Sequence, residues 1–145
     1  MPTSENFQKS IEHILTKDQR YHPEAYFFLR SALEFTIKNI KKNRHHPETS
    51  HVSAAQLLDG FRQLALQEFG PMAITVLEFW GIHSCLDIGN ATFHLIESGA
   101  FGKSDQDSID QFKNGFDFHD AFVKPFQPNP ASTPPTTQPH ILPNP

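Results

Sequence analysis

His94 and Glu97 stand three residues apart and His119 directly precedes Asp120, two places where an imidazole and a carboxylate can share a proton. Acid–base catalysis by such a pair needs a pocket and a fixed geometry, which spacing alone does not supply. His45, His46 and His51 bring three imidazoles into one short stretch, but no cysteine joins them and the spacing matches none of the usual closed zinc sites, so a polar loop is the simpler reading. "DQDSID" places Asp105 and Asp107 at the first and third positions of a calcium loop; Ile109 then falls fifth, Asp110 sixth where glycine is needed, and Phe116 twelfth, which excludes an EF-hand. Cys85, the single cysteine, sits in the first turn of a helix, where the dipole can lower a thiol pKa, but no base accompanies it and it reads as a structural thiol. There is no G-x-S-x-G, P-loop, H-E-x-x-H or dinucleotide fingerprint. The chain therefore reads as non-enzymatic, with no catalytic, cofactor-binding or metal residues.

The elements that position these residues are helical. Phe7, Ile11, Ile14 and Leu15 predict a short amphipathic helix over 5–15. Pro23 opens a second, of about 19 residues, with Tyr26, Leu29, Leu33, Ile37 and Ile40 on one face and Arg30, Glu34 and Lys38 on the other. "NRHHPETSHVS" interrupts it as a loop. Ser53 with Gln56 forms a capping box before Leu57, Leu58, Phe61, Leu64 and Ala65. Gly70 and Pro71 end that helix and begin another, on which Met72, Val76 and Trp80 recur before Gly81 stops it. Ser84 with Asp87 is a second possible capping box, opening a helix that Gly99 closes.

Beyond Gly99, "AFGKS" and "FDFHDAF" alternate apolar and polar residues on either side of the acidic stretch 105–114, the pattern of two short antiparallel strands. The expected fold is mainly α-helical: one domain over residues 1–124 with a small C-terminal β-hairpin, winged-helix-like, followed by a disordered tail over 125–145 in which eight of twenty-one residues are proline. In such a fold the helix at 85–98 would be the DNA reader. Its polar arc is Asp87, Asn90, His94 and Glu97, which offers carboxylates but no Lys or Arg to neutralise phosphates, so DNA reading through it is not expected. The same four residues form a candidate protein-interaction face.

Charge is divided unevenly. Residues 1–52 carry +2, residues 53–124 carry −6, and 125–145 no formal side-chain charge. The concentrated cationic patch is Lys38, Lys41, Lys42 and Arg44, a candidate polyanion contact or simply a solvated helix C-terminus complementing the macrodipole. A single cysteine, residues 1–25 without a continuous apolar signal-peptide core, and no apolar run near the roughly 18 residues of a membrane span point to the cytoplasm and away from a membrane.

"DQRYHPEAYFFLRSALEFTIKN", "HVSAAQLLDGFRQLALQEFGPMAITVLEFWGI" and "NGFDFHDAF" resemble a Planctomycetes/Verrucomicrobia-restricted family of small uncharacterised proteins. Tyr21 to Tyr26 carry the opening of that likeness, Phe69-Gly70-Pro71 its joint and Trp80-Gly81 its stop, within about residues 18–122. The resemblance implies a bacterial cytosolic protein and no assigned activity. The expected function is a non-enzymatic protein–protein interaction or adaptor module, with homodimerisation possible through its apolar faces; the alternative is nucleic-acid binding through the basic patch at 38–46.

Overall fold

The computed structural model describes residues 3–43, 52–102 and 108–128. The chain runs through α1 (Ser4–Lys17), α2 (Pro23–Asn43), α3 (Ala54–Phe69), a 3-10 turn (Gly70–Met72), α4 (Ala73–Phe79), α5 (Cys85–Glu97), a 3-10 turn (Ile109–Phe112), α6 (Phe118–Phe122) and a last 3-10 turn (Lys124–Phe126). Side-chain caps set several of these starts. Thr3 accepts from the Asn6 N–H at α1, and the Ser53–Gln56 box closes in both directions at α3. Gly70, Gly81 and Gly99 take positive φ where helices stop, as their lack of a Cβ permits.

α2 packs along α3 and against α5, while α1 lies against α2 and α5. Phe7, Ile11 and Ile14 bury the inner stripe of α1, and the Phe7 ring meets Phe27 and Phe101. Two glycines make room for side chains of neighbouring elements. A Cβ at Gly60 would collide with Thr36 of α2, and one at Gly89 would lie 2.6 Å from the Phe112 ring. On α4 the buried residues are Ala73 and Leu77 rather than the expected Met72–Val76–Trp80 stripe; Val76 and Trp80 are half-buried and Met72 is exposed.

The expected C-terminal β-hairpin is overturned, and the winged-helix wing with it: no strand occurs among the described residues. Ala100 and Phe101 do not extend. Their N–H groups both donate to the Leu95 carbonyl, wrapping the chain back over the end of α5 and burying Phe101. "FDFHDAF" is helical because Asp117 accepts from the Asp120 N–H, after which Phe118, Ala121 and Phe122 fall at helical spacing and are buried. Part of the acidic connection is also a capped turn: Ser108 and Gln111 form a box, and Phe112 enters the core. Lys103, Asp105 and Asp107 lie outside the described residues, as does the expected disordered tail except for 125–128, where Pro125 and Phe126 belong to a 3-10 turn packed on α6.

Replacing Gly89 with Ala should push a methyl into Phe112 and lower unfolding free energy by about 1–3 kcal/mol, whereas Leu86→Ala on the exposed side of the same helix should cost less than about 1 kcal/mol. Urea denaturation of the two variants checks this.

Candidate functional site

The polar arc of α5 turns toward the protein rather than toward solvent. Asp87, Asn90 and His94 are half-buried against the α1–α2 turn and the start of α2, and of the four predicted interaction residues only Glu97 is exposed. Tyr21 donates its hydroxyl hydrogen to Asp87 Oδ1 at 2.6 Å and accepts from Asn90 Nδ2 at 3.2 Å. The second Asp87 oxygen accepts the His83 N–H at 2.9 Å. Asp87 therefore does not return to the Ser84 backbone as a capping box would. Ser84 alone caps α5, accepting the Asp87 N–H.

One turn along, Tyr26 Oη lies 2.9 Å from His94 Nδ1, and His94 Nε2 lies 3.4 Å from Asp18 Oδ2. Asp18 is itself held by Arg20, whose Nε and Nη2 approach its carboxylate at 2.8 to 3.1 Å. Tyr26 is 0% exposed, so its hydroxyl hydrogen needs a buried acceptor, and Nδ1 provides it. That assigns the proton of neutral His94 to Nε2, facing the Asp18 carboxylate.

The titrations follow from these contacts. Burial lowers the His94 pKa, outweighing the favourable field of Asp18. Arg20 holds the Asp18 carboxyl below its ordinary value. Burial, then the Asp87 hydrogen bond, raises the Tyr21 hydroxyl to about 12, and burial raises Tyr26 further, aided by the Asp18 charge. Cys85 is likewise buried; its thiol donates to the Phe116 carbonyl at 3.3 Å and is pushed up to about 11, in keeping with a structural thiol.

A pocket of about 240 Å³ opens beside this network, lined by His13, Ile14, Lys17, Asp18, His94, Glu97 and Ser98. It provides the concavity that an acid–base role for His94 requires. The hydrogen bonding opposes that role, because the Nδ1 lone pair receives Tyr26 and Nε2 carries the proton, so no lone pair of the neutral ring is turned to the pocket. His119 and Asp120 are exposed and, with Asp117, bring one possible metal-ligand atom each within 4.8 Å. Asp117 caps α6 and Asp120 pairs with Lys124 at 3.5 Å, which accounts for the cluster without a metal.

Lys38, Lys41 and Lys42 are exposed on the last turns of α2; Arg44, His45, His46 and His51 lie outside the described residues. A feature absent from the sequence reading is the surface at the end of α4. Phe79 is 74% exposed and Met72 is 57% exposed. Beside Phe79 lies a groove of about 480 Å³ between α4 and the α1–α2 turn, walled by Phe79, Trp80, Tyr21, His22 and Pro23. The two walls are tied where the His22 N–H donates to the Trp80 carbonyl at 3.0 Å. The exposed Met72 was legible only as one of a recurring apolar set, with nothing to say which members would stay outside.

No protein-family model, no curated protein and no solved structure matches this chain.

Two outcomes test the network. Tyr26→Phe leaves the buried Nδ1 without a donor and should cost about 1–3 kcal/mol in denaturant unfolding. Because the folded His94 pKa is depressed, its neutral form is favoured in the native state, so its share of stability is complete above an unfolded pKa of about 6.5 and falls as pH drops through that value toward the folded pKa. The stability difference between wild type and His94→Gln should therefore shrink between about pH 7 and pH 5.

Proposed function

We propose that this protein is a non-catalytic protein-interaction module whose contact face is centred on Phe79. The observation that carries this reading is a phenylalanine left 74% exposed in a chain that buries much of its aromatic content. Met72, in the 3-10 turn that precedes α4, is exposed as well. Burying a side chain such as Phe against a partner contributes about 1.5–3 kcal/mol, and exposed apolar patches rimmed by polar groups commonly mark such interfaces. The His94 hydrogen bonding supports the non-enzymatic part of the reading.

Asp87, Asn90 and His94 contribute by holding the α1–α2 turn that forms one groove wall, and not as a contact surface of their own. The proposed setting is the cytoplasm, where a free thiol such as that of Cys85 stays reduced; among the described residues no helix is long and apolar enough to cross a membrane. The resemblance to the Planctomycetes/Verrucomicrobia-restricted family fits a bacterial origin and brings no activity with it.

The test is affinity capture from the native cell with three baits: wild type, Phe79→Asp, and the triple variant Lys38→Glu, Lys41→Glu, Lys42→Glu. Each is washed at low and high salt, with protein and nucleic acid both identified. A defined protein should stay bound to wild type and to the lysine variant through high salt, and Phe79→Asp should weaken its binding about thirtyfold, the effect of a hot-spot residue worth about 2 kcal/mol. Nucleic acid that leaves as salt rises and is missing from the lysine variant would instead establish polyanion binding through α2.

A further inference from the structure

We infer that the pocket between the last turns of α1 and α5 binds a small zwitterion of the free α-amino-acid type, its carboxylate toward α1 and its ammonium toward α5. At about 240 Å³ the pocket is smaller than the roughly 300–1,000 Å³ of sites for drug-sized ligands, which suits an occupant of amino-acid size. The charges on its walls define that occupant. Asp18 reaches the pocket, but its carboxylate is held by Nε and Nη2 of Arg20. His94 is uncharged at neutral pH, with Nδ1 committed to Tyr26. That leaves Lys17 and Glu97, and among the described residues neither side chain forms an ion pair or a hydrogen bond. A cation on α1 and an anion on α5 thus line one concavity without neutralising each other.

The helix ends impose the same polarity. The last turn of α1 carries Lys17, which complements the macrodipole there; the last turn of α5 has no Lys or Arg and adds Glu97, so its negative end still favours a cation. His13 precedes Lys17 by four residues and shares its face of α1, which places an imidazole N–H beside the ammonium and gathers the carboxylate donors on that wall. Ile14, 5% exposed, supplies apolar surface for a short aliphatic side chain. Selectivity follows from desolvation. A simple carboxylate entering the pocket would leave Glu97 without a counter-ion, and a simple amine would leave Lys17 without one; a ligand bearing both charges satisfies both walls. The bound ligand ties α1 to α5 beside the Tyr26–His94–Asp18 network, and none of the residues it uses belongs to the Phe79 face, so the inference does not depend on that face having a partner.

The experiment titrates the isotope-labelled full-length chain with three probes and follows its amide resonances by NMR: L-valine, isovalerate, which lacks the ammonium, and isobutylamine, which lacks the carboxylate. L-Valine should bind with a Kd of roughly 1 mM, ordinary for so small a ligand, and should shift amides in the last turns of α1 and α5. Isovalerate and isobutylamine should each bind at least about tenfold more weakly, as expected when one charge-assisted contact is lost. Lys17→Met and Glu97→Gln, both at exposed positions, should each weaken L-valine about tenfold, while Glu12→Gln, exposed on α1 but outside the pocket, should leave it unchanged. No response to L-valine at about 20 mM, some twenty times that Kd, would overturn the inference. So would isovalerate or isobutylamine binding as tightly as L-valine, which would make the pocket a site for a simple anion or cation, or a loss in Glu12→Gln equal to that in Glu97→Gln.

Discussion

A hydroxyl buried away from water must find a hydrogen-bond partner, and two tyrosines impose that requirement on the whole helical assembly. Tyr21 and Tyr26 flank the start of α2, both almost wholly buried, and the partners that satisfy them are Asp87, Asn90 and His94 of α5. Meeting these contacts fixes the rotation of α5 about its axis. With the polar arc turned to the tyrosines, Cys85 meets the Phe116 carbonyl and Gly89 receives the Phe112 ring, so the segment after α5 is seated by the same rotation. Asp18 completes the arrangement by bridging His94 and Arg20 within the α1–α2 turn.

Close backbone approach is the second constraint on the packing. Thr36 returns its hydroxyl to the Ala32 carbonyl at 2.7 Å and lies in the space that a side chain at Gly60 would occupy, which lets α2 and α3 pack tightly. Gly81, at positive φ, lets the Arg20 carbonyl approach the end of α4, and the neighbouring His22–Trp80 hydrogen bond joins the two segments. The groove is the consequence. Its walls are held by backbone contacts while Phe79 remains outside them, so an aromatic surface is presented on a rigid frame. The polar groups of α5 are largely consumed in building that frame, which moves the candidate contact face from α5 to α4.

Much of the helical framework was legible from local signals. The Ser53–Gln56 box, the Ser84 cap, and the stops at Gly70, Gly81 and Gly99 all stand where residue type places them, because a cap is satisfied within three or four residues of itself. The C-terminal hairpin failed for an equally local reason. Phe116 and Phe118 alternate as in a strand, but Phe118, Ala121 and Phe122 also fit a helix, and the Asp117 cap decides between the periods. The candidate site was legible in its membership but not in its direction: Asp87, Asn90, His94 and Glu97 share an arc on any helical wheel, and amphipathicity assigns such an arc to water.

By itself, therefore, the sequence determined the positions of the first five helices, the division of charge along the chain, the lack of familiar catalytic motifs and the proline-rich composition after Lys124, all properties of residues and their near neighbours. Tertiary structure alone decided that Tyr26 meets His94, sixty-eight residues away, that Met72 and Phe79 stay outside while Ala73 and Leu77 go in, and that the α1–α2 turn closes a groove against Trp80. The physical reason is that burial depends on which faces other helices cover and on whether distant donors find acceptors. Those conditions exist only once the helices have packed.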